Sequence, residues 1–421
     1  MTQIEIKPPK TRSARPVVPV RPRGTPADAA ADAAGLLRRL GFAVMVGLLP
    51  IASVIMRHAV VGLAPVGAIL FALAMLIESD GREPLGRILA LLRTPIALAL
   101  IFLVLWAGLS LLWTPFYDDA QERLVKAIGV GLAVFAAGAS MPVRMRASNL
   151  YLLALGSGLG ALAAIVWVVT VPNAYTAIDG DGPVMVRTAM SVTLLAWPAL
   201  AWLMMRSERA AAILLALAVA CAVLLSGSSA AVLALLAGAV GFGLTSVAPR
   251  LVIPLLTVLL ALAVLAAPLL PFAMTSLFQS LPDGATALKP LLIWRDSVVA
   301  EPIRLLTGHG LDTALRSQLA GILALGAPQS ILFEIWYELG LLGVLPVAFI
   351  LVAALRSAAV QGEAIAPCLV GAILNLLAFA CLGLVGSQTW WLTLIATLSI
   401  AFIAVIHGRF GTRRPKAVLG R

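Results

Sequence analysis

Of 421 residues, 61% are hydrophobic and 12% are charged, whereas a soluble domain carries about a quarter charged residues. A soluble globular protein is thereby excluded, and a transmembrane β-barrel with it, because no series of short alternating segments occurs. The net charge of +11 is carried largely by the opening stretch, the last residues and short connecting segments; it reads as an orientation signal for membrane helices, and no nucleic-acid partner is expected.

Residues 1-39 are basic and proline-rich without an apolar core, and read as a disordered cytoplasmic tail rather than a cleavable signal peptide. Apolar runs follow near 40-56, 59-77, 95-113, 124-140, 150-171, 187-205, 210-225, 230-247, 251-274, 331-355, 365-385 and 388-407, each able to cross a hydrocarbon core of about 30 Å as a helix. The expected fold is all-α, a polytopic membrane helix bundle of about twelve transmembrane helices. Nine lie in 40-274 and three in 331-407, separated by a long loop at 275-330 and followed by a basic tail at 408-421. No internal repeat is visible, which argues against transporters built from repeated halves. Most of the 30 basic residues fall on alternate connections and at both ends, so both termini are expected in the cytoplasm and the 275-330 loop outside it.

The candidate chemistry clusters around that loop. Asp179 and Asp181 in "AIDGDGPVMVR" form too weak a pattern to claim a metal, and Arg187 opens the sixth span on the outer side. Within the loop, "LKPLLIWRDSVVAEPIRLLTG" predicts an amphipathic helix, with Ile293 and Trp294 toward lipid or protein and Arg295, Asp296 and Glu301 toward water; "GHGLDTALRSQLAGILAL" predicts a turn and a second helix. Guanidinium groups stay charged and bind phosphate groups bidentately, making Arg187, Arg295 and Arg304 candidate anion ligands. His309 is the loop's histidine and has the ordinary pKa of a proton-transfer group. Glu334 and Glu338, four apart at the mouth of the tenth span, are alternative bases. Both also have structural explanations: Ser330 is a plausible N-cap that puts Glu334 in a first turn, and Glu338, roughly 12 Å into the helix, would pair with an arginine such as Arg187 or hold the loop in place. Trp390 and Trp391 read as interface anchors, and Cys221, Cys368 and Cys381 as small buried hydrophobes.

Five segments, "SLLWTP" (110 to 115), "VRTAMSVTLLAWP" (186 to 198), "IWRDSVVAEPIRLLTGHGLD" (293 to 312), "ILFEIWYELGLLG" (331 to 343) and "SQTWWL" (387 to 392), follow an order and spacing that resembles the O-antigen ligase family, in the divergent form associated with alphaproteobacteria. The resemblance implies a metal-independent glycosyltransferase of the bacterial inner membrane with no cofactor. Its partners would be a glycan on undecaprenyl pyrophosphate, a lipid A core or polysaccharide acceptor, and membrane lipids. It also implies that Arg187 corresponds to the family arginine opening the sixth span. Where the family carries a catalytic His-Asn pair, this chain has Gln329 and Ser330. Two other roles stay open: a lipid-linked glycan transporter, and a non-catalytic paralogue in a polysaccharide export complex.

Overall fold

The structure, a computed structural model, describes residues 26–55, 59–78, 83–141, 147–171, 184–278, 284–383 and 389–408, and all regular structure among them is helical. In chain order the helices are α1 (Pro26–Phe42), continued through a π-helical stretch (Ala43–Leu48) into α2 (Leu49–Ile55), then α3 (Ala59–Glu78), α4 (Glu83–Leu92), α5 (Pro95–Ser110), α6 (Tyr117–Ser140), α7 (Ala147–Thr170), α8 (Val184–Met205), α9 (Arg209–Leu225) and α10 (Ser229–Val247). They continue with α11 (Pro249–Leu265), α12 (Leu270–Phe278), α13 (Gly284–Ala300), α14 (Arg304–Thr307), α15 (Thr313–Leu319), α16 (Ile331–Ala359), α17 (Ile365–Cys381) and α18 (Thr389–Gly408). Among the described residues, seven helices are long and apolar enough to cross a membrane, or eight when α11 and the segment after its 61° bend count as one; the apolar stretches Val61–Ile77, Pro95–Ser110, Arg209–Leu225 and Ile365–Cys381 are shorter. The protein is therefore a polytopic helical membrane protein. Helix begins at Pro26, inside the stretch expected to be tail.

Helix starts follow local chemistry. Thr94 caps α5 by accepting from the Ala97 N–H, with Pro95 in the first turn where its missing N–H is harmless. Ser228 caps α10 through Ala231, and Ser330 caps α16 through Phe333 at 3.2 Å, as the sequence leads one to expect.

Helix α8 is the axis of the bundle. It is buried nearly all round from Met185 to Leu203 and packs against α2, α7, α9, α10, α17 and α18. Because lipid tails are as apolar as leucine, close approach of backbones drives much of the packing. Glycine supplies it at two seams: Gly156 and Gly160 of α7 lie against Gly47 and Pro50, and Gly238 of α10 lies against Gly371 of α17 and the Trp197 ring of α8. Cys368 is buried, whereas Cys221 and Cys381 lie on the outer surface of the bundle. That corrects the expectation of three buried thiols, because an apolar run has a lipid-facing side as well as a core side.

Two spans are broken. At α11 the interruption follows from Pro268: the Val264 carbonyl has no N–H four residues on, and accepts instead from Trp336 Nε1 of α16 at 2.9 Å. In α16 the backbone leaves helical geometry at Gly340 (φ 61°, ψ −162°). The loop helices α13, α14 and α15 gather beside these two breaks, α13 against α12 and both α14 and α15 against α16.

A methyl group at residue 238 would lie 2.7 Å from the Trp197 ring and 2.9 Å from the Gly371 carbonyl, whereas one at residue 243 meets open space. Gly238→Ala is expected to destabilise the bundle by about 1–3 kcal/mol. Gly243→Ala is expected to be neutral or stabilising by up to about 1 kcal/mol. Unfolding midpoints in a single detergent check the pair; equal midpoints would contradict the glycine seam.

Candidate functional site: a loop docked on a broken helix

The break in α16 frees backbone carbonyls of buried residues, which need partners within the protein. Three successive ones are satisfied from outside the helix: Tyr337 O accepts from His309 N (2.8 Å), Glu338 O from Gly310 N (2.9 Å) and Leu339 O from Trp106 Nε1 (2.9 Å). Contact this close requires glycine at both flanks of His309. Gly308 (φ 73°) leaves room for no side chain, since a Cβ there would lie 2.1 Å from Glu338 O; at Gly310 (φ 108°) it would lie 2.7 Å from Thr114 Cβ. Two hydroxyls of "SLLWTP" hold the other side of the loop, Ser110 Oγ accepting from Leu311 N (3.2 Å) and Thr114 Oγ1 donating to Leu311 O (3.0 Å).

Beneath the loop lies a buried cluster of charge. Arg123, in the second turn of α6, places Nη1 3.1 Å from Asp312 Oδ1 and 3.2 Å from both Glu338 oxygens, with Nη2 3.7 Å from Glu334. Arg316 bonds Asp312 through Nε and reaches Asp119 at 2.9 Å. The Ala314 N–H donates to Glu338 Oε1 at 3.3 Å. Glu334 and Glu338 are 7% and 3% exposed, so each is removed from water; Arg123 faces both, and Glu338 also takes a backbone N–H. Asp312, in the left-handed region at φ 64°, links the two arginines and carries the chain into α15.

Above the cluster, His309 lies flat on Tyr337, ring centroids 4.0 Å apart and planes 11° from parallel. Its Nδ1 is 3.0 Å from Tyr337 O. A carbonyl can only accept, so Nδ1 carries the proton in the neutral ring and Nε2 keeps the lone pair. Nε2 is 3.9 Å from Glu301, which also takes Arg304 Nε at 3.3 Å; Arg304 Nη1 donates to Gly308 O at 3.3 Å. Glu301, Arg304 and His309, with Trp294, Trp336 and Tyr337, line a small open cleft. Burial pushes the His309 pKa below its ordinary 6.5, helped by the Arg304 charge and opposed by the Tyr337 carbonyl and Glu301.

The residues expected from sequence thus divide. His309 and Arg304 share the cleft, and Glu334 and Glu338 lie in the ion cluster beneath it. Glu334 is in the first turn of α16 as expected, but also faces Arg123. The cation of Glu338 is Arg123, not Arg187: α6 delivers Arg123 to the loop, whereas Arg187 is buried at the head of α8, whose neighbours are other spans. Arg295 bonds the adjacent Asp296 on the exposed side of α13 and does not line the cleft. Trp294 faces protein, edge-on to Phe333 at 5.3 Å. Asp179 and Asp181 fall outside the described residues. No family model, curated protein or solved structure matches this chain.

Arg123→Ala leaves buried carboxylates facing one another and is expected to cost about 3–5 kcal/mol. Arg295→Ala, at an exposed pair, is expected to cost under about 1 kcal/mol. Thermal unfolding of the two variants in matched detergent compares them, and equal losses would mean that the Arg123 cluster contributes no more than a surface pair.

Proposed function

We propose that the chain is a membrane glycosyltransferase that moves a glycan from a polyprenyl diphosphate to an acceptor hydroxyl, as the resemblance to O-antigen ligases implies. The observation that carries this reading is His309, whose Nε2 keeps its lone pair in a cleft beside Arg304. In the proposed step the acceptor O–H gives its proton to Nε2 while its oxygen bonds to the anomeric carbon. The bond from that carbon to the diphosphate oxygen breaks, and the diphosphate leaves with the electron pair, its charge met by the Arg304 guanidinium. Glu301 stands where it offsets the imidazolium that forms. Glu334 and Glu338 serve as the charged foundation of the loop rather than as bases.

The same reading places both ends of the chain in the cytoplasm of a bacterium and the cleft on the outer face of its inner membrane, where the donor arrives already activated on its lipid. It takes twelve crossings: the seven long helices, the bent α11 segment and the four shorter apolar stretches. The acceptor class is a lipid A core or a growing polysaccharide. A lipid-linked glycan transporter is the second reading, favoured by the two broken spans, a feature that transporters use to build sites at membrane depth.

Transfer of a labelled glycan from undecaprenyl diphosphate to lipid A core by the purified protein in nanodiscs tests the reading. His309→Ala is expected to lower the rate by about 10²- to 10⁴-fold. Arg304→Ala is expected to lower kcat and raise KM. Since the neutral imidazole is the base and its pKa is depressed, the rate should fall only as pH drops below 6.5. Translocation in liposomes without product would favour the transporter, and full activity in His309→Ala would remove the proposed base.

A further inference from the structure

We propose that Arg123 is a positioning residue for His309, one guanidinium fastening the histidine loop through Asp312 and the broken end of α16 through Glu338 in the same grip. The inference rests on the reading of His309 as a base for its catalytic meaning, though not for its geometry.

The ring of His309 is oriented by the register between the loop and α16. Its backbone N–H and its Nδ1 both address the Tyr337 carbonyl, its face lies on the Tyr337 ring, and the next N–H addresses Glu338 O. A small slide of the loop along α16 would exchange these acceptors, and Nδ1 would lose the carbonyl that selects its protonation. Asp312 is three residues beyond His309, and Glu338 is one residue beyond Tyr337. Arg123 is the group that bonds both carboxylates, at 3.1 and 3.2 Å. It comes from α6, a separate element, so it fixes the loop and α16 to a third part rather than only to each other. Nη1 makes both bonds while Nη2 faces Glu334 at 3.7 Å, so a lysine, with one nitrogen on a shorter stem, would not reach all three carboxylates at once.

The charged and titratable groups that face His309 are Glu301, Arg304 and Tyr337, none of which touches Arg123. An effect of Arg123 on the histidine therefore has to pass through the loop and α16. A purely structural arginine would change stability and leave the imidazole of the folded protein as it was.

The test is ¹⁵N NMR of histidine-labelled full-length protein in nanodiscs, where three histidines give a sparse spectrum and the His309 signal is assigned by its loss in His309→Gln. Wild-type protein is expected to show the Nδ1–H tautomer and titration below 6.5. Arg123→Lys keeps the positive charge, and Asp312→Asn keeps both shape and tolerance of left-handed backbone. Each is expected to mix the tautomers and to move the titration toward 6.5, with kcat down about tenfold and KM within about twofold in the transfer assay. Unmoved tautomer and titration in both variants, or an Nε2–H tautomer in the wild type, would overturn the proposal. An inactive wild type whose His309 still moves in these variants would sink the transfer reaction and keep the positioning. Active protein with an unmoved His309 would do the reverse.

Discussion

The arrangement depends on one requirement: a helix broken within a packed bundle must have its released, buried carbonyls satisfied by protein. Each such group left unsatisfied would cost several kcal/mol. At Gly340 the solution is a loop laid onto the break, with two backbone N–H groups and an indole as donors. From this follow the glycines on both sides of His309, the stacking of His309 on Tyr337, and the presence of a cleft at that point. The site is where it is because the break is there.

Charge finishes what the backbone begins. Two glutamates four residues apart on the broken helix would repel each other and the loop aspartate if left alone, and Arg123 makes the three mutually compatible. Replacement by well-packed apolar side chains would often be no less stable. The cluster therefore makes most sense as a device for register, tying a loop to a helix in one relative placement. The break at α11, with Trp336 donating across to Val264, ties the neighbouring span to the same region.

Much of this was legible from residue order. The apolar runs fall on helices, Ser330 caps α16, and Trp294 sits on the inward face of the loop, although the first of the two helices expected there ends at Ala300 and a separate α14 follows. Glu334 and Glu338 stood out because carboxylates in an apolar run demand an explanation. Their partner did not. Arg123 lies in "YDDAQERLVK", a stretch that resembles any charged span mouth, and nothing local says that its guanidinium turns inward across a distance of more than two hundred residues in the chain. One available signal was the balance of buried charge: two acids inside a span imply a cation, and candidates at other span mouths include Arg123 as well as Arg187.

The sequence by itself determined the class of protein, a helical bundle in a membrane, because hydrophobic composition and run length are summed over many residues and tolerate local error. It also determined where chemistry was to be sought, because polar groups in apolar surroundings are costly wherever they fold. Tertiary structure decided the rest: which arginine meets which carboxylate, that Gly340 breaks α16, that α8 is the buried axis, and which nitrogen of His309 keeps its lone pair. These are matters of a few ångströms between segments remote in the chain. Pairing of that kind is set by the packing of whole helices, which no single stretch of residues encodes.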